Sequence, residues 1–159
     1  MNRCLFLIPI FFSSIVSANT YYVSTSGKDF NPGTISAPWA TFQKAIAMAI
    51  AGDTVYFRGG TYYPIETITI DIGNTPNIGR SGTPGNPICY LNYPGEAVIF
   101  DLINIKPAPS NWSAGISVSY ADFIYMRGFE IKNLLQYHEE VMVEAVQNYM
   151  CSNIQYENF

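Results

Sequence analysis

An all-β solenoid, a right-handed parallel β-helix closed at its amino-terminal end by one amphipathic helix, is the fold this sequence predicts. Three observations carry that reading. The 159 residues are 48% apolar and only 13% charged, with twelve Tyr and ten Phe that favour strands, and twelve Gly and ten Pro that favour turns. The chain also echoes itself: "GISVSYADFIYMRGFEIKN" (115–133) falls on "EVMVEAVQNYMCSNIQYEN" (140–158), apolar over apolar. Finally, one segment alone has a helical period, and it lies before most of the strands.

The first eighteen residues read as a secretory signal peptide. Arg3 gives a positive start, Leu5 to Phe12 an apolar stretch, and Val16-Ser17-Ala18 a small-residue site with cleavage expected between Ala18 and Asn19. The apolar stretch is too short to span a membrane. Residues 19–159 are then one exported domain. Without Arg3 the balance is seven basic against twelve acidic residues, a net charge of -5, which argues against nucleic acid or an anionic membrane surface as partner. Cys4 leaves with the leader. Cys89 and Cys151 remain in apolar, strand-like runs, where a free thiol packs as a small hydrophobe, so the reading prefers free cysteines over a disulfide.

Along the mature chain, Tyr21 to Val23 reads as a strand and 24–38 as a polar turn-rich loop. Residues 41–51 read as the helix, with Phe42, Ile46 and Ile50 at i, i+4, i+8 making an apolar stripe and Gly52-Asp53 a stop. Thr54 to Phe57 is the next strand. Short strands follow at Thr67 to Ile72, Ile88 to Asn92, Ala97 to Phe100, Gly115 to Ser119, Phe123 to Met126 and Phe129 to Ile131, with loops at 73–87 and 104–114. In the echo Ile116 meets Val141, Val118 meets Val143, Met126 meets Cys151, and Gly128 meets Asn153, two types that tolerate a left-handed backbone. A period of about 25 residues with three strands per period predicts one turn of a solenoid per repeat. The helix then covers the exposed first turn. An Ig-like sandwich is the structural rival, but it predicts no such echo.

Residues 21–63, "YYVSTSGKDFNPGTISAPWATFQKAIAMAIAGDTVYFRGGTYY", resemble the opening of secreted right-handed parallel β-helix proteins of the pectate-lyase-like superfamily, above all polysaccharide lyase family 9. "SGTPGNPICYLNYPGEAVIFD" (81–101) and "YMRGFEIKN" (125–133) resemble its next landmarks. The resemblance implies pectate or related polyuronate as substrate and cleavage by β-elimination. It also implies calcium on the substrate carboxylate and a base, often Lys, that removes the C5 proton. No position here matches the family's clustered aspartates, so no catalytic residue carries over. The sequence expectation is that the catalytic turns lie beyond Phe159 and that the chain is truncated there. A monomer is expected.

Several residues invite a functional reading. His138, Glu139, Glu140 and Glu144 cluster in "HEEVMVE". Alternation puts Glu140 and Glu144 on one face, either as calcium ligands or as an ordinary solvated face, and the solvated face is the plainer account. Asp29, Asn31 and Gly33 fit a cation loop or, more simply, Asx turns around Pro32. Arg58, Lys106, Arg127 and Lys132 could touch an anionic sugar or serve solubility. Trp39, Trp112 and Tyr137 could stack on sugar or lie buried under loops. His138 has no Ser or Cys constellation around it, so a triad finds no support. The leading reading is the amino-terminal part of a secreted polyuronate lyase. Its rivals are a non-catalytic carbohydrate-binding or adhesion solenoid, and a glycoside hydrolase for which no carboxylate pair is apparent.

Overall fold

The computed structural model describes residues 18–73, 78–106, 112–135 and 142–159, and the leader therefore lies outside the described residues. Among the described residues, eleven strands and one helix follow one another as β1 (Thr20–Val23), α1 (Phe42–Met48), β2 (Thr54–Phe57), β3 (Gly60–Tyr62), β4 (Ile68–Asp71), β5 (Ile88–Asn92), β6 (Val98–Asp101), β7 (Trp112–Ser119), β8 (Asp122–Arg127), β9 (Phe129–Lys132), β10 (Met142–Tyr149) and β11 (Ser152–Glu157). They form three parallel sheets, β1-β2-β5-β8-β11, β4-β7-β10 and β3-β6-β9. Successive turns stack by adding strands to these same sheets. This is a parallel β-helix, as the sequence predicts.

Register explains the core. Parallel pairing sets like positions above one another, so inward side chains form columns. Tyr21, Val55, Tyr90 and Met126 stack on one sheet, as do Ile88, Ile124 and Ile154. Ile68, Ile116 and Val146 stack on the second, and Tyr62, Phe100 and Ile131 on the third. Burying one such side chain contributes roughly 1.5–3 kcal/mol, and each column repeats the gain turn after turn.

The spacing of the last turns corrects the sequence reading. β7 pairs with β10 as Ile116↔Val146, and β8 with β11 as Ile124↔Ile154, so the repeat is longer than the echo that aligns Ile116 with Val141. Backbone geometry agrees. The left-handed residues Tyr120 (φ 54°), Phe123 (φ 55°) and Gly128 (φ 75°) recur one turn later as Met150 (φ 48°), Asn153 (φ 55°) and Asn158 (φ 54°). Non-glycine residues pay about 1–2 kcal/mol there, a cost the corner of each turn imposes. Gly128 is needed where it stands, since a Cβ would lie 2.2 Å from the Asn92 side-chain oxygen. The sequence echo therefore matches apolar to apolar across unlike parts of the turn. β7 also begins at Trp112, inside the stretch read as loop.

The helix is shorter than its apolar stripe. Thr41 caps it, accepting from Lys44 N at 3.1 Å. Asp29 fixes that cap, accepting from Ala40 N (2.8 Å), Thr41 N (3.0 Å) and the Thr41 hydroxyl (2.8 Å). The helix ends at Met48 because Ala49 is already extended, and the Asp53 carboxylate takes the Ile50 N–H at 2.9 Å. Ile50 thus falls beyond the helix and is 40% exposed, so it does not share the capping face. Phe42, Ala45 and Ile46 do. The Phe42 ring enters the end of the solenoid, 4.6 Å from Phe57, 5.0 Å from Tyr90 and 5.5 Å from Phe100 between centroids. One helix this short cannot hold itself, so this packing stabilises it.

Phe42→Ala is expected to lower unfolding free energy by about 3–5 kcal/mol. Ile50→Ala is expected to cost less than about 0.5 kcal/mol. Urea denaturation of the two variants side by side checks the difference.

Candidate functional site

The outer face of the five-stranded sheet gathers the aromatic and charged side chains best placed for a ligand. Strand alternation puts Thr20 and Tyr22 of β1, Thr54 and Tyr56 of β2, Cys89 and Leu91 of β5, Tyr125 and Arg127 of β8, and Gln155 and Glu157 of β11 on that face in register. Tyr22 and Tyr56 have ring centroids 6.0 Å apart, and Tyr93, just past β5, packs 5.8 Å from Tyr56 and 6.2 Å from Tyr22. The Arg58 guanidinium lies 4.7 Å above the Tyr93 ring. A groove of about 260 Å³ opens at the other end of the face, between Gly85, Phe123, Tyr125, Asn153 and Gln155.

One ion pair organises the aromatic end. Arg58 Nε donates to both oxygens of Glu96 (3.1 and 2.9 Å), and Nη2 donates to Oε1 at 2.7 Å. The Gly59 N–H adds a donor to Glu96 Oε2 at 2.5 Å. Arg58 first, and the Gly59 N–H second, hold the Glu96 carboxyl below the ordinary carboxylate range. The Tyr125 hydroxyl donates to Glu157, which raises the Tyr125 phenol.

The residues singled out in the sequence scatter. Glu140, His138, Glu139 and Tyr137 lie outside the described residues, as does the Trp112 side chain. Glu144 is half-buried on β10 beside Ala114 of β7. Among the described residues no three His, Cys, Asp or Glu come together as metal ligands. Asp29 braces the helix cap, and Asn31 Nδ2 donates to Pro38 O at 2.8 Å, so internal hydrogen bonds account for that loop. Trp39 is 1% exposed, stacked 4.6 Å from Tyr21, with Nε1 donating to Asn31 O at 2.9 Å; it is core. Lys132 pairs with Glu130 at 3.0 Å, and Lys106 is exposed. Cys89 and Cys151 are both free, on the sheet's outer face and beside the core respectively, and burial pushes the Cys89 thiol up. Tyr22, Tyr56, Tyr93 and Glu96 escaped the sequence reading. Tyr56 and Arg58 do alternate as outward neighbours, but Tyr22↔Tyr56 and Tyr56↔Leu91 are unequally spaced, which no single shift reveals.

A family model described as "Pel9A-like, right handed beta helix region" matches residues 21–159. The chain belongs to that family. It is a pectate-lyase-like right-handed β-helix, as the opening motif implies. It is 32% identical over 130 residues, 82% of its length, to pectate lyase PEL9 of Emericella nidulans. Among solved structures, a rhamnogalacturonan lyase superposes with a TM-score of 0.67 at 30% identity, covering 86% of this chain. Pectate lyase Pel9A superposes with a TM-score of 0.54 at 26% identity, over 73% of this chain. The chain spans 30% of the length of PEL9, 34% of that rhamnogalacturonan lyase and 28% of Pel9A.

The Arg58–Glu96 pair sets a pH dependence. A lowered folded-state carboxyl stabilises above its unfolded value, and that contribution is lost as pH falls through the folded value. Thermal midpoints from pH 6 to pH 3 are therefore expected to fall more steeply for the native chain than for Glu96→Gln.

Proposed function

We propose that this chain is part of a secreted polysaccharide lyase that cleaves an acidic polysaccharide, pectate or a related polyuronate, by β-elimination. The observation that carries the proposal is membership of the Pel9A-like family across residues 21–159, joined to likeness to both a pectate lyase and a rhamnogalacturonan lyase. The outer sheet face supports it. Its tyrosines offer apolar ring faces for sugars, and Arg127 offers a cation for a carboxylate, while Arg58 is engaged by Glu96.

Calcium assistance belongs to the same proposal for the whole protein. Calcium takes six to eight oxygen ligands, usually with several carboxylates. The described residues do not fit it, since Glu144 stands without a companion carboxylate cluster among them. Within such a protein these residues cap the solenoid and fix the register of its first turns.

The test uses the full-length secreted protein with polygalacturonate and with rhamnogalacturonan, following ultraviolet absorbance of the unsaturated product. Absorbance is expected to rise with one of them and to stop when a chelator removes calcium. No product from any polyuronate, with binding retained, would instead favour a carbohydrate-binding solenoid.

A further inference from the structure

The structure describes the chain from Ala18, and the next residue makes an unusual contact. The backbone nitrogen of Asn19 donates to Asp53 Oδ1 at 2.8 Å, and Asn19 O accepts from Thr54 N at 2.9 Å. Asp53 is fully buried. Its second oxygen takes the Ile50 N–H at 2.9 Å, at the turn that stops α1. Neither ion pair among the described residues includes it. Arg80, on the nearby loop, donates instead to Ala47 O at 2.9 Å. A buried carboxylate held by two backbone N–H groups and no cation is costly, because hydrogen bonds alone offset only part of its desolvation.

The sequence places a small-residue cleavage site, Val16-Ser17-Ala18, directly before that contact. We infer that the Ala18–Asn19 bond is a maturation site whose hydrolysis places a terminal ammonium on Asp53, locking β1 to the turn between α1 and β2. A signal peptidase adds one water across the amide. The water oxygen joins the Ala18 carbonyl carbon, which departs as a carboxylate on the leader. Both water protons end on the Asn19 nitrogen, which becomes –NH₃⁺. The neutral donor at 2.8 Å is thereby replaced by a cation at the same nitrogen, while Asn19 O and Thr54 N keep the strand in place. The uncleaved chain lacks that charge. Cleavage after Val16 or after Asn19 would put the ammonium one or more residues from Asp53 and lose the pair. The inference does not depend on what the protein cleaves.

Two measurements test it. Secretion of the full chain with its own leader, followed by intact mass of the product, is expected to give an amino terminus at Asn19; any other terminus overturns the inference. Chains made with defined ends, starting at Asn19 or at Ala18, are then compared with and without Asp53→Asn. The Asn19 form is expected to melt at least about 3 °C above the Ala18 form, with the difference vanishing in Asp53→Asn. An equal difference in both backgrounds, or none in either, overturns it. Should Asp53→Asn not fold, acylation of the Asn19 α-amine by an amine-reactive reagent reads the same contact. Several-fold protection relative to the unfolded chain is expected, and reactivity equal to the unfolded chain's contradicts the pair.

Discussion

Parallel backbone pairing ties β2 to β1 on one side and to β5 on the other, and the same arrangement repeats outward to β11. That pairing fixes everything else in the molecule. Because a one-residue slip would turn every inward side chain outward, the columns of Ile, Val, Phe and Tyr lock the register as firmly as the hydrogen bonds do. The corners then follow. Each turn must bend where its strands change sheet; the left-handed residues at 120 and 128 mark those bends and recur at 150 and 158, while those at 123 and 153 sit near the start of β8 and β11.

Such a stack has an end that must be covered, and here an aromatic ring covers it. Phe42 reaches past the first turn to Phe57, Tyr90, Phe100 and Phe129, so the helix that carries it is anchored to several turns together. The loop from 24 to 40 serves that insertion. Asp29 holds the cap of α1, Trp39 lies under Tyr21, and Asn31 ties the loop to Pro38. Residues that looked ready to bind a cation or stack on sugar are engaged in positioning Phe42. The cap leaves the outer side chains of the five-stranded sheet, Tyr22, Tyr56, Tyr125 and Arg127 among them, on the opposite side from the core columns.

Much of the fold was legible because periodicity and turn chemistry are local. The strand at Thr54–Phe57 and the helix start at Thr41 both follow from neighbouring residues. The repeat was misread because apolar residues are dense enough that a shorter shift also aligns them. Only the left-handed corners, a backbone property, single out the true turn. Ile50 departs from its helical spacing for a different local reason: the Asp53 side chain captures its N–H and the helix ends first. The aromatic face was invisible because loops of unequal length separate Tyr22, Tyr56 and Tyr93, and strand pairing alone brings them together.

Register is the claim on which the rest stands, and a disulfide reads it directly. Ser117 and Gln147 face each other across β7 and β10, with the Ser117 hydroxyl donating to Gln147 Oε1 at 3.3 Å. With Cys89 and Cys151 replaced by Ser, the pair Ser117→Cys/Gln147→Cys is predicted to cross-link under mild oxidation, as neighbouring strand positions lie within disulfide reach. Ser117→Cys/Met142→Cys, the partners that the shorter sequence echo would bring together, is predicted to stay reduced. Cross-linking of the second pair and not the first would contradict the stacking described here.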